Sequence, residues 1–463
     1  MTRSARFAWW LMILLFSLLI FFNNLVFLSL FFYKRGSSLT QADLRYELDF
    51  QMRYVLSFAG SSMLRQGLKP AAKGVVDALR KELYGTEGEW EARLYVALME
   101  QLTGVGDPEK TLKGLANASS VELEPHERRW YAPLWHIALQ GQLSREQVPR
   151  LRDALSLSAP PLALQIAESV MWQRAGDAQR ARQLLHKLER ESQLRLSLLV
   201  AVGCCGLFWG IVGVGLLLWY LVQPFPLAQR PLPNASPFVL DRMLWAPALF
   251  LLLLLYSQVL LVSWQGRDVA PTDPLFGIAY AIAAFVPLLF LWSWSREPGN
   301  PSGILRFQGS VWRQIGSALM GFGIYLPIML LSLLLTIWLA PALPSEQTSP
   351  IAETPLSEME AWMRFWTILQ VVVLAPMVEE VLFRGVLFQV LWQRTGRVWL
   401  SAFASGFLFG VIHPQFLGGI LVVTILGVIL AMVYAHTRSL LPCILIHMLN
   451  NGMAMLFFWV FTG

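Results

Sequence analysis

Polar and ionisable side chains are scarce in the apolar stretches of this chain, and where they occur they gather near its C-terminal end. APMVEEVLFRGVLF carries Glu379, Glu380 and Arg384; FLFGVIHPQ carries Phe409 and His413; LIHMLNNGM carries His447, Asn450 and Asn451. A charged group inside a membrane helix costs about 2.5–3.5 kcal/mol on insertion scales, so each is a functional candidate by default. His447 and Asn451 are four apart, which puts them on one helix face where they can address one substrate atom. Glu380 and Arg384 are also four apart, so the arginine can neutralise that carboxylate within its own helix. Glu379 points about 100° away and is left free of that partner. Adjacent carboxylates in a low dielectric push each other's protonation apart, which suits one of them to act as a base.

Other chemistries can be set against the same residues. Glu379, His413 and His447 on separate helices form a plausible zinc set with an open fourth position. No HExxH occurs, because His126-Glu127 is followed by Arg128, Arg129 and Trp130. Phe403-Ala404-Ser405-Gly406 lacks the leading glycine of a rhomboid-like serine site, and no paired aspartates lie in an apolar helix. The alternative from another class is a non-catalytic membrane scaffold or transporter subunit, which would use these groups for helix packing or proton transfer. Asn450 reads as structural and His436 as interfacial, and Arg364 reads as a snorkelling side chain.

The ordered trio resembles the membrane-embedded CAAX prenyl protease and bacteriocin-processing family, also called the Abi family. Its pattern is EExxxR, then FxxxH, then HxxxN on successive helices. Here these are Glu379-Glu380-x-x-x-Arg384, Phe409-x-x-x-His413 and His447-x-x-x-Asn451. The resemblance covers roughly residues 360–461 and implies an intramembrane endopeptidase. On it, Glu379 is the general base for water, and His413 helps hold that water or its partner carboxylate. His447 and Asn451 stabilise the oxyanion, while Glu380 and Arg384 fix helix geometry and charge balance, with Phe409 in support. It implies a protein or peptide substrate, prenylated or not. It requires either no cofactor or one divalent metal such as zinc, with Glu379, His413 and His447 as candidate ligands.

The elements that must position these residues follow from composition. The chain has 463 residues, 56% hydrophobic and only 14% charged, against about 25% charged in soluble domains. That excludes an ordinary soluble enzyme and a disordered chain, and points to a polytopic membrane protein. The net charge of +6 is no sign of nucleic-acid binding, because membrane proteins collect Lys and Arg at cytoplasmic helix ends. Phe7–Tyr33 reads as a retained transmembrane anchor, too long for a signal-peptide core. Further spans are expected at 198–222, 243–264, 275–294, 314–340, 361–392, 398–413, 416–436 and 440–461, about nine in all. Cys204, Cys205 and Cys443 lie in apolar text and suggest no disulfide.

Residues 34–194 differ in kind, holding roughly two-thirds of the chain's Lys, Arg, Asp and Glu. Gly106, Gly141 and Gly176 lie about 35 residues apart, with Ala97, Ala132 and Ala167 in register. That spacing predicts a soluble helical-repeat domain similar to tetratricopeptide repeats, able to take a protein partner. The expected fold class is therefore all-α: a transmembrane helical bundle with an inserted soluble repeat domain. The expected domains are an anchor at 1–33, the repeat domain at 34–194, helices of unassigned role at 195–345 and a catalytic core at 346–463. Arg296, Arg306, Arg313, Arg394, Arg397 and Arg438 share one side with Arg3 and Arg6, whereas the loop 341–360 is acidic. This predicts an inner-membrane protein with a cytoplasmic N-terminus and residues 34–194 outside the cytoplasm.

Overall fold

The structure is a computed structural model and describes Leu11 and residues 41–59, 67–86, 88–120, 123–222, 243–265, 274–295, 309–339, 359–413 and 417–462. The described residues contain helices and no strands. They divide into two compact units, one formed mainly by residues 37–203 and the other mainly by residues 204–456.

In the first unit, α1 (Gln41–Ala59), α2 (Leu68–Leu83), α3 (Glu89–Thr103), α4 (Pro108–Lys113), α5 (Pro125–Gln140), α6 (Gln147–Leu155) and α7 (Pro161–Arg174) precede the long α8 (Ala178–Val222). The turns between α3 and α4, α5 and α6, and α7 and α8 contain Gly106, Gly141 and Gly176. Gly106 and Gly176 adopt the left-handed conformation, with φ of +94° and +78°, which glycine tolerates best. Ala97, Ala132 and Ala167 are buried on the first helix of each pair. Asp107 caps α4 by accepting from the backbone N–H groups of Glu109 and Lys110, satisfying donors that a helix start leaves free. A buried carboxylate in this unit, Glu100, pairs with Arg80 at 2.6 Å and accepts from Thr111 at 2.8 Å.

The second unit contains the apolar helices α9 (Trp245–Gln265), α10 (Pro274–Ser295) and α11 (Val311–Leu339). One unbroken helix, α12, then runs over residues 361–395, followed by α13 (Val398–Ile412), α14 (Leu417–Thr437) and α15 (Leu440–Thr462). Each apolar segment expected beyond residue 195 contains a helix. The first expected anchor, Phe7–Tyr33, lies outside the described residues apart from Leu11. Among the described residues, Ala178–Leu216, Val311–Ser332, Ile420–Thr437 and Leu440–Phe457 are long and apolar enough to cross a bilayer. These helices mark a membrane protein. Its three cysteines are free thiols.

Two features of this unit set up the site. The first is that α12 changes pitch twice: Gln370–Leu374 and Val381–Phe388 are π-helical, and Ala375–Glu380 between them is α-helical. The second is the close approach of α13 and α14. A methyl group added to Gly406 would lie 2.7 Å from the Val428 backbone nitrogen and 2.9 Å from the Thr424 carbonyl oxygen. Small residues of this kind let membrane helices pack backbone to backbone.

Candidate active site

Glu379 and Glu380 end the short α-helical stretch of α12, and both are buried. Arg384 lies one turn on and is fully buried; its Nη1 donates to Glu380 Oε1 at 2.7 Å and its Nη2 to the Gly427 carbonyl at 3.3 Å. The neutralisation of Glu380 within its own helix is therefore realised. A buried guanidinium with a carboxylate and a carbonyl as acceptors meets the condition under which a charge persists away from water.

Phe409 on α13 is fully buried and sits at the hub of the cluster. The Arg384 guanidinium lies 4.3 Å from its ring centroid, a cation–π distance. The rings of Phe383, His413 and His447 meet it edge to face at centroid distances of 5.1, 4.7 and 5.5 Å. One aromatic side chain thus spaces the cation from both histidines, which gives the FxxxH pattern a physical meaning.

His413 is not within the helix. It is the C-cap residue of α13, with φ −81° and ψ 129°. Pro414 follows it, and a residue before proline is driven into this extended region. The cap turns the imidazole so that Nδ1 donates to the Phe409 carbonyl at 2.7 Å. A carbonyl only accepts, so Nδ1 carries a proton and Nε2 is the ring nitrogen left to face the site.

His447 on α15 repeats the arrangement with a different acceptor. Its Nδ1 donates to Glu380 Oε1 at 2.9 Å. Both Nε2 atoms then face the same oxygen, Glu379 Oε2, each at 3.8 Å. Among the described residues none donates a hydrogen bond to that oxygen. Side chains of α12, α13 and α15 therefore converge on one carboxylate oxygen.

Asn451 reaches α12 as well. Its Nδ2 donates to the Val371 carbonyl at 2.9 Å, in the first π-helical stretch. There the Ala375 N–H bonds to the carbonyl five residues back, Gln370. In that pattern Val371 would be served by residue 376, which is a proline and has no N–H to give. The amide of Asn451 takes up the carbonyl that Pro376 leaves free.

Glu379, free of Arg384, has a partner on another helix. Tyr280 on α10 is buried, and its hydroxyl donates to Glu379 Oε1 at 3.2 Å. Asn450 is tied to Tyr325 of α11, whose hydroxyl donates to Asn450 Oδ1 at 2.9 Å; Asn450 Nδ2 donates in turn to Asn451 Oδ1 at 3.1 Å. Neither tyrosine has a sequence signal that sets it apart from other aromatics in apolar helices. Arg364, read as snorkelling, donates to the Met359 carbonyl at 3.1 Å.

The donor chemistry of Glu379, His413 and His447 suits zinc, and an Nδ1 tied to a carbonyl or carboxylate is a common outer partner of metal-bound histidine. Each Nε2 stands 3.8 Å from Glu379 Oε2. Tetrahedral zinc with bonds of about 2.0–2.1 Å brings ligand atoms to roughly 3.3 Å of one another. Among the described residues no group of three His, Cys, Asp or Glu is placed to hold a metal ion.

A groove of about 930 Å³ runs between α11, α13 and α14, with Arg313, Ser317, Phe403, Ile425 and His436 among its walls. None of the motif residues lines it.

No curated protein and no solved structure matches the chain. Residues 361–453 match the family model described as Rce1-like, type II CAAX prenyl endopeptidase Rce1-like. That segment contains every motif residue above, and over it the chain is similar to the CAAX prenyl endopeptidases, a family of peptide hydrolases.

Proposed function

We propose that this protein is an intramembrane endopeptidase in which Glu379 activates water for attack on a peptide carbonyl. The observation that carries the reading is the convergence of Glu379 Oε2 with the Nε2 atoms of His413 and His447, each 3.8 Å away. Both imidazoles spend their Nδ1 protons on fixed acceptors. A water between them can donate to two of these three atoms and offer its lone pair to a carbonyl carbon. In the reaction the C–O bond forms as Glu379 takes the water proton. The oxyanion is then met by the second N–H of the Asn451 amide, while His447, its Nδ1 proton held by Glu380, helps to hold the water, and the C–N bond breaks as Glu379 returns the proton to the departing nitrogen. Glu380 and Arg384 hold the charge balance behind His447, and Phe409 holds both rings.

On this reading the mechanism runs on glutamate and water, without a metal. Treatment with 1,10-phenanthroline leaves hydrolysis intact; loss of activity that returns with added zinc would overturn that part alone. Residues 34–194 are a tetratricopeptide-like array that recruits the substrate or a partner protein, supported by the glycine turns and buried alanines of the three helix pairs. Nine passes through a bacterial inner membrane put this domain outside the cytoplasm, supported by the distribution of Arg and Lys.

The deciding test compares wild type with Glu379→Ala and Asn451→Ala in native membranes. Folded protein is measured in parallel, and the membrane proteome is scored for proteins that persist uncleaved. The same set accumulates in both variants if the reading holds. Two folded variants with an unchanged proteome would make the glutamate structural and return the chain to the scaffold reading.

A further inference from the structure

The family-matched segment begins at residue 361, and the motifs it contains leave α10 and α11 without a role. Each of those helices nonetheless sends one buried tyrosine hydroxyl to a motif residue or its neighbour. We propose that Tyr280 and Tyr325 are positioning residues of the active site: Tyr280 orients Glu379 directly, and Tyr325 orients Asn451 through Asn450. The proposal rests on the hydrolytic reading above and extends the catalytic apparatus beyond its family motifs.

The argument for Tyr280 starts from the carboxylate. Its two oxygens are chemically equivalent until something distinguishes them, and the terminal torsion of glutamate is broad and two-fold. The Tyr280 hydroxyl engages Oε1 at 3.2 Å, which leaves Oε2 as the oxygen facing the two histidines. A phenol supplies a donor without a charge, at the end of a rigid ring that spans the gap between helices. The ring is itself held, because Phe250 of α9 meets it edge to face at 6.0 Å. One turn earlier, Gly277 lets α10 approach α12: a methyl there would lie 2.8 Å from Gln370 Oε1 and would also strike the Trp366 indole nitrogen. The groups facing Glu379 are then Tyr280 from α10, Glu380 and Arg384 from its own helix, His413 from α13 and His447 from α15.

Tyr325 acts at one remove. Its hydroxyl, fully buried, donates to Asn450 Oδ1 and thereby fixes which way that amide is turned. The Asn450 Nδ2 then points at Asn451 Oδ1, and Asn451 must present its own Nδ2 to the Val371 carbonyl and to the space beside it. The chain from tyrosine to backbone carbonyl has one donor and one acceptor at each step, so the amide that receives the oxyanion has a single orientation.

The test uses the full-length protein in lipid vesicles, as wild type, Tyr280→Phe, Tyr325→Phe and Glu379→Gln, with Tyr256→Phe at an exposed position as the control. The first readout is infrared absorption of the Glu379 carboxyl group, assigned as the bands that vanish in Glu379→Gln. These bands shift in Tyr280→Phe and stay in place in Tyr325→Phe and Tyr256→Phe. The second readout is steady-state cleavage of a farnesylated CaaX reporter peptide. Both tyrosine variants lose about 10–100-fold in kcat, the range typical of outer partners that orient a reacting group, while KM stays within about twofold and Tyr256→Phe matches wild type. Unshifted Glu379 bands in Tyr280→Phe overturn its half of the proposal, and an unchanged kcat in either variant overturns that variant's half. If Glu379→Gln itself still cleaves the reporter, the reading of Glu379 as the base falls. The infrared bands then decide separately whether Tyr280 holds the carboxylate.

Discussion

Arg384 and Glu380 form an ion pair that water does not reach, both side chains being fully buried at 2.7 Å separation. Removing one member of such a pair strands the other and costs about 3–5 kcal/mol, whereas replacing both with apolar groups costs far less. Glu380→Ala is therefore expected to lower the unfolding midpoint in detergent sharply, with Glu380→Ala/Arg384→Met nearer to wild type. A double variant as unstable as the single one would mean that the pair does not carry this stability. Both variants lose the acceptor for His447 Nδ1, so the double variant is expected to recover stability without recovering hydrolysis. At this scale the sequence was informative wherever a side chain was out of place in apolar text, which is why Glu379, Glu380, Arg384, His413, His447 and Asn451 stand out. Tyr280 does not, because a tyrosine in an apolar helix is ordinary and its importance depends on which neighbour it meets.

The site also depends on local helix geometry. In α12 the two π-helical stretches flank the paired glutamates, and such stretches collect at functional positions. Simple i to i+4 reading finds the Glu380–Arg384 pair but passes over the altered pitch, where Val371's carbonyl accepts from Asn451 instead. The helix end at His413 is more legible, since Pro414 dictates it. Between α13 and α14 the decisive residues are absent side chains. Gly406→Ala would push a methyl onto the Val428 backbone nitrogen and the Thr424 carbonyl, where neither helix can yield by moving a side chain. The expected cost is about 1–3 kcal/mol. Hydrolysis should fall with it, because a displaced α13 carries Phe409 and His413 away from α12. Thermal unfolding and reporter cleavage, measured on the same preparation, check both; retained cleavage at a lowered midpoint would uncouple packing from the site.

For the molecule as a whole, the segment that matches a family is shorter than the segment that forms the site. Residues 346–463 produced alone lack Tyr280 and Tyr325, and they are expected to be inactive; co-production with residues 1–345 should restore cleavage. Activity from 346–463 alone would confine the machinery to the family segment. Apolar length predicted the helices beyond residue 195, and the spacing of Gly106, Gly141 and Gly176 predicted turns between helix pairs, because both depend on local sequence. The convergence of α10, α12, α13 and α15 on one carboxylate pair depends on packing, and no local pattern encodes it. The order in which these parts leave the ribosome has its own consequence if α12 enters the bilayer as a span. When its two carboxylates arrive, Arg384 comes with them and Tyr280 is already in place, so each acid has a partner on entry. His413 follows, and His447 and Asn451 emerge later still. The nascent protein thus carries a partnered but incomplete centre while its last three helices follow, and on the proposed reading it gains the power to cut only when the last of them docks.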